Sequence, residues 1–263
     1  MNWSKEEKRI IELFKPGTSF VYKNKNLHSL VCTKPIYSSG EGKTDIYILC
    51  DNGTEIKIST KTSSADFLEN KISKNRYIQI FGNDFTPVIK AIDTLKPLFL
   101  NKQVYYPETV NRVQAGSYTM GWRIDIINTN SGKLTAPLDL TIEQKKNIFY
   151  GNTLTGNKRN PSINNTIIKD AGIANNILLN SEKYNTAQEI IDALIDAENY
   201  DGKIYITFRA VNYRSKQDAI DGNRPLGVAV KWFAQDKYEL IFDKPLEYGA
   251  KNDMLKFFKE HIK

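Results

Sequence analysis

Between Thr44 and Thr62 two runs of strand-forming residues are tied together by Asn52-Gly53, and this pairing limits what the chain can fold into more than any other stretch. TDIYILC (44–50) is rich in β-branched and aromatic residues. Asn-Gly suits the positive φ values of tight hairpin turns, and TEIKISTKT (54–62) alternates polar with apolar. The segment is expected to form a β-hairpin. Side chains two apart on a strand share a face, so Glu55, Lys57, Ser59 and Lys61 should line one side. Ile56 and Ile58 should line the other, against a core.

The hairpin also carries chemistry. Asp45 stands at the head of its first strand, and Glu55-Ile56-Lys57 places an acid-x-lysine on the second. Hydrolysis of a phosphodiester calls for Mg²⁺ to neutralise the phosphate and activate a water, and Mg²⁺ favours one or two carboxylates with water and phosphate completing its shell. Asp45 and Glu55 are the candidate metal ligands. A lysine beside them can orient the attacking water or stabilise developing negative charge, and Lys57 is the first candidate for that role.

At these residues the chain resembles the PD-(D/E)XK nuclease superfamily, the group that contains most type II restriction endonucleases. Thr44-Asp45 stands for the first half of its motif, without the proline, and Glu55-Ile56-Lys57 for the second. GEGKTD before the hairpin and ADFLENKIS after it also look like restriction-type sequence, in which a helix begins soon after the second catalytic strand. The resemblance covers roughly residues 1 to 80. It implies an α/β or α+β fold with a central mixed sheet flanked by helices. It also implies a Mg²⁺-dependent endonuclease that cleaves double-stranded DNA at a specific short sequence, as a restriction enzyme or a phage or viral relative would; the alternatives are a DNA-binding protein on the same fold that does not cut, and a repair or recombination nuclease acting on structured DNA. A palindromic site would favour a homodimer.

The turn decides which residues complete the site. A two-residue turn at Asn52-Gly53 sets Asp45 opposite Thr60 and leaves Glu55 roughly 16 Å along the hairpin, too far to share a metal. A wider, five-residue loop over 49–53 would instead bring Asp45 toward Glu55. Ser59-Thr60-Lys61 is the alternative to Glu55-Ile56-Lys57, with serine in place of the acid, so Lys57 and Lys61 both stand as catalytic candidates. Upstream, MNWSKEEKRIIELF reads as an amphipathic helix ended by Lys15-Pro16-Gly17. The resemblance lets Glu6, Glu7 or Glu12 reach back to the metal. The plainer reading is a solvated face, with Ile10, Ile11 and Phe14 buried.

The chain has 263 residues, 40% of them hydrophobic, which is enough for one large or two modest domains. Division into a catalytic core over 1–100 and a DNA-recognising remainder over 101–263 is expected, as one continuous domain or two. A net charge of +7, with 14 Tyr and 12 Phe, suits an anionic partner with stackable bases. Cys32 and Cys50 lie on apparent strands without a partner motif and read as reduced thiols of a soluble, cytoplasmic protein. His28 and His261 are too isolated for a histidine cluster, and Gly40-Glu41-Gly42-Lys43 lacks the spacing of a nucleotide-binding loop.

Farther on, helices are expected over 65–73, 87–95, 141–150, 163–180, 186–199 and 252–262. Strands are expected over 19–37 and 121–128, with a β-meander over 203–212, 225–234 and 237–242. Two polar, basic loops are the candidate DNA contacts, since Arg suits guanine, Asn adenine and Thr the thymine methyl. The first offers Lys158, Arg159 and Asn160, and the second Tyr213, Arg214, Lys216, Asn223 and Arg224.

Overall fold

A computed structural model describes residues 5–38, 40–61, 67–214, 225–243, 246–249 and 251–261. The chain opens with α1 (Lys5–Leu13), β1 (Ser19–Tyr22), β2 (Lys25–Thr33), β3 (Ile46–Cys50), β4 (Glu55–Lys61) and β5 (Phe67–Glu69). Next come α2 (Lys74–Phe81), α3 (Thr86–Leu100), β6 (Tyr105–Tyr106), β7 (Ser117–Ile127), β8 (Thr135–Pro137), α4 (Ile142–Phe149) and α5 (Gly156–Arg159). β9 (Ser162–Ile163), β10 (Thr166–Ile167), β11 (Asn176–Leu179), α6 (Ala187–Asp192) and β12 (Ile195–Asp196) follow. The last elements are β13 (Tyr205–Arg214), β14 (Pro225–Leu226), β15 (Val228–Ala234), β16 (Lys237–Phe242), β17 (Tyr248–Gly249) and α7 (Lys251–His261). Helices and mixed sheets together place the protein in the α+β class.

Two compact units emerge, and each is discontinuous in sequence: Met1–Asp66 with Thr141–Gly202, and Phe67–Leu140 with Lys203–Lys263. Residues 67–100 thus belong with the later part of the chain.

The first unit is organised by a six-stranded sheet in the order β1-β2-β3-β4-β11-β12. Neighbouring strands from β1 to β4 are antiparallel, whereas β11 joins β4 in parallel, Asn176 beside Ile58 and Leu179 beside Lys61. The alternation in β3 and β4 works as the sequence suggests: Ile46, Ile48, Ile56 and Ile58 are fully buried on one face. Ile10 of α1, Phe14 just after it, and Ile190 and Ile191 of α6 pack onto them. Thr186 and Glu189 start α6 with a reciprocal capping box, and Thr141 and Gln144 do the same for α4, satisfying amides that a helix start leaves open.

The second unit is built on a seven-stranded sheet whose main path is β16-β15-β7-β13-β8, with β5 and β6 also pairing to β7. β7 is the spine, and ten of its pairings are with β13. Gly121 lies where β15 crosses closest. A Cβ there would stand 2.2 Å from the carbonyl oxygen of Val228, and its φ of +151° is one that side chains disfavour. Phe99 of α3 makes edge contacts with Trp122 and Phe208, both at 5.2 Å, and Tyr118, Trp232 and Phe257 form a second aromatic group.

Several local expectations change. The 163–180 stretch, read as helix, holds β9, β10 and β11. Asn164 and Asn165, both at positive φ, make the tight turn that joins the first two. Phe67–Glu69, expected within a helix, is a strand on β7, and the helix of 186–199 stops at Asp192. The expected meander is interrupted, because β7 lies between β13 and β15. Among the described residues no helix is long and apolar enough to cross a membrane.

Candidate active site

The hairpin register settles the loop length between the two expectations. Ile46 faces Ile58 and Leu49 faces Glu55, while the Cys50 amide bonds to the Thr54 carbonyl at 2.9 Å. Three residues, Asp51 to Gly53, therefore form the turn, with Gly53 at φ +83°. Asp45, just ahead of β3, donates its amide to the Ile58 carbonyl at 2.8 Å. Its carboxylate accepts from the Thr60 amide at 2.7 Å and the Thr60 hydroxyl at 3.2 Å. Asp45 is thus level with residues 58–60, and Glu55 lies about four residues along β4, roughly 13 Å away. The expected Asp45–Glu55 metal pair does not converge.

Glu55 and Lys57 have other partners. Glu55 accepts a hydrogen bond from the Tyr47 hydroxyl at 2.7 Å and lies 3.7 Å from the Lys57 ammonium. Lys57 donates to the Asp170 carbonyl at 3.1 Å. Burial, and then the Glu55 carboxylate, pushes the Tyr47 phenol pKa well above its ordinary value. Glu55 and Lys57 thus belong to a contact that ties β4 to the segment before β11.

Around Asp45 a different set assembles. Its carboxyl pKa is raised above the usual carboxylate range, because burial outweighs the Lys61 ammonium and the Thr60 amide. Glu7 pushes it higher still, and Lys34 draws it down. Glu7, on α1, receives the Lys34 ammonium at 2.7 Å, with side chains 12% and 16% exposed. Burial alone would lower the Lys34 pKa, but the Glu7 hydrogen bond, with the charges of Glu7, Glu41 and Asp45, raises it. The Tyr37 hydroxyl donates to the Thr44 carbonyl at 2.9 Å. Its pKa is driven up by burial, then by Asp45 and Glu41. Beside this group the hydroxyls of Thr44 and Ser59 are buried without a hydrogen-bond partner among the described residues.

Of the three helix acids, Glu7 is the one turned inward; Glu6 bonds Arg9 and Glu12 is exposed. Lys34 and Thr60 are additions that the motif did not indicate. A charged residue leaving a strand, as Lys34 leaves β2, is too common in sequence to stand out.

Asp45 and Glu7 offer the hard oxygen donors that Mg²⁺ takes, and two carboxylates suffice when water and phosphate complete the shell. Among the described residues no three His, Cys, Asp or Glu side chains converge on one point.

The candidate DNA contacts fare differently from one another. Arg159 is held by Asp170 at 2.5 Å and by the Asn152 carbonyl at 3.1 Å, and the Asn160 side chain accepts from the Asp170 amide at 2.9 Å. Gly172 sits so close to the Lys158 carbonyl that an added Cβ would be 1.9 Å from it. Residues 158–160 therefore brace a turn, with the half-buried Lys158 side chain lying against Gly40. In the second unit Arg214 is exposed at the end of β13 and lines a recess of about 190 Å³ with Arg112, Gln114 and Asn212. Tyr213, expected in a groove, is 3% exposed and belongs to the core. Lys216, Asn223 and Arg224 lie outside the described residues.

Compared with known proteins, the chain matches no family model, no curated protein and no solved structure.

Proposed function

We propose that the protein is a Mg²⁺-dependent endonuclease acting on double-stranded DNA at a specific short sequence, in the manner of a type II restriction enzyme. The observation that carries this reading is the cluster at the hairpin head: Asp45 held by Thr60, with the Lys61 charge and the inward Glu7 around it. Asp45 and Glu7 are the carboxylates that would hold the ion, which supplies phosphate neutralisation and an activated water when bound. Lys61 takes the lysine role, through Ser59-Thr60-Lys61, in preference to Lys57, whose ammonium is bound to Asp170. Lys61 is the charge that most favours the ionised form of Asp45, and it is placed to offset negative charge building on a phosphate there. A mixed sheet covered by α1 and α6 is consistent with a restriction-endonuclease-like fold. A two-fold site would be met by a homodimer.

The test is incubation with unmodified plasmid or phage DNA, with Mg²⁺ and with EDTA. Discrete Mg²⁺-dependent fragments that vanish in Asp45→Ala, with DNA binding retained, support the reading, and full cutting by Asp45→Ala sinks it.

One observation favours a second reading, a DNA-binding protein that does not cut. The Lys34 ammonium already neutralises Glu7, as an ion would. On that reading Mg²⁺ changes neither DNA affinity nor melting temperature.

A further inference from the structure

The second unit holds a recess that cutting does not use, and it stands whether or not Asp45 supports hydrolysis. Its volume is about 410 Å³, and its walls come from the end of α3, from β6, from the segment before β8 and from β13. Trp122, Phe208 and Leu134 contribute apolar floor, and Tyr106 stands half-buried at the side. A recess of this size falls within the roughly 300–1,000 Å³ of small-ligand sites.

Its charges are all of one sign. Among the described residues, Lys102, Lys133 and Arg209 line it and no carboxylate does. Among the described residues, no carboxylate makes an ion pair with Lys102 or Lys133. Arg209 is anchored from behind: its Nε lies 3.2 Å from Oδ2 of Asp125, which is fully buried, and its guanidinium stacks 4.4 Å above the Phe67 ring. Asp125 is itself fixed by the Lys71 amide at 2.5 Å. The Arg209 side chain is thus committed to Asp125 and Phe67, which leaves Lys102 and Lys133 as the cations open to an outside acceptor. Lys102 and Lys133, two like charges beside an apolar floor, repel each other until an anion joins them.

We infer that this recess binds a nucleotide, its phosphate between Lys102 and Lys133 and its base against Tyr106 and the apolar floor. A bare anion would leave the aromatic wall unused, and an uncharged aromatic would leave the cations uncompensated. The same chemistry is presented by a free nucleotide and by an exposed nucleotide of a strand.

Binding of a fluorescein-labelled DNA strand to the full chain, measured in EDTA, tests this. Lys102→Gln/Lys133→Gln is expected to weaken binding by about tenfold or more and to flatten its salt dependence. Tyr106→Ala should weaken it with the salt slope kept, and because EDTA removes the ion that cutting needs, the readout does not depend on the cutting centre. Competition by dAMP assigns the recess to free nucleotides, and competition by unlabelled strand alone assigns it to nucleotides within a polymer. Wild-type affinity in the double variant overturns the inference, as does pyrophosphate competing as well as dAMP. Lys133 is exposed and Lys102 half-buried, and a melting curve confirms that the double variant is folded.

Discussion

The two units bury acids in opposite ways. In the first, the core is aliphatic, centred on Ile46, Ile48, Ile56 and Ile58, and its acids gather at the head of a strand, where Asp45 is partly open and Glu7 is matched by Lys34. In the second, the core is aromatic and Asp125 sits in mid-strand at 0% exposure, held by the Lys71 amide and Arg209. An acid sealed within a sheet can only position its neighbours, whereas one at a strand head is reachable by a ligand. Position along the strand, more than residue type, separates a supporting acid from a reactive one.

The contrast is broken or sharpened by experiment. The largest effect is expected at Asp45. Asp45→Asn should lower Mg²⁺-dependent cutting by about a thousandfold, measured on plasmid. The same change should raise the melting temperature at pH 7. The Asp45 pKa is raised on folding, so the folded chain binds its proton more tightly than the unfolded chain does. Stability is therefore lost as pH climbs from the ordinary carboxylate value through the raised one, and removing the charge removes that cost. A lowered melting temperature would make Asp45 a structural acid like Asp125.

Gly121→Ala comes next, with a cost of about 3 kcal/mol or more from the clash with the Val228 carbonyl. Hydrogen exchange should show protection lost in β7 and β15 and kept in β3 and β4. Equal loss in both units would mean that they unfold as one.

Lys61→Ala should reduce cutting by about a hundredfold, and Lys57→Ala by much less while weakening the tie to Asp170, readable as a lower melting temperature. The reverse order would restore Glu55-Ile56-Lys57. Smallest is the effect at the thiols. Burial pushes Cys32 up to about 12 and, with Asp51, Cys50 up to about 11, so maleimide at pH 8 should label the folded chain slowly and the unfolded chain fast.

Local chemistry carried much of the first unit. The hairpin, its buried isoleucines and the caps of α4 and α6 follow from periodicity and from side chains that bond nearby amides. What failed was decided by distant partners. Phe67–Glu69 becomes a strand because β7 offers it an edge, and β7 separates β13 from β15 through pairing that no window of sequence contains. At 163–180 the spacing of Ile163, Ile167 and Ile168 imitates a helix, while Asn164-Asn165 form a turn that deserved more weight. At the site, Asp45 and Lys61 were legible, but the three-residue turn moved Glu55 out of reach. Glu7 and Lys34 became distinct only once α1 was laid on the sheet.

The parallel pairing of β4 with β11 spans residues 62–175, and this has a consequence during synthesis. When Lys61 leaves the ribosome, its strand has one neighbour and an open edge; the strand that closes that edge emerges more than a hundred residues later. The β7 strand, made in the interval, waits in turn for β13. Each half-built sheet is an exposed template until the other part of the chain arrives, so the order of translation leaves both units incomplete together. A protein assembled this way has no complete framework around its cluster at the hairpin head until β11 has been made.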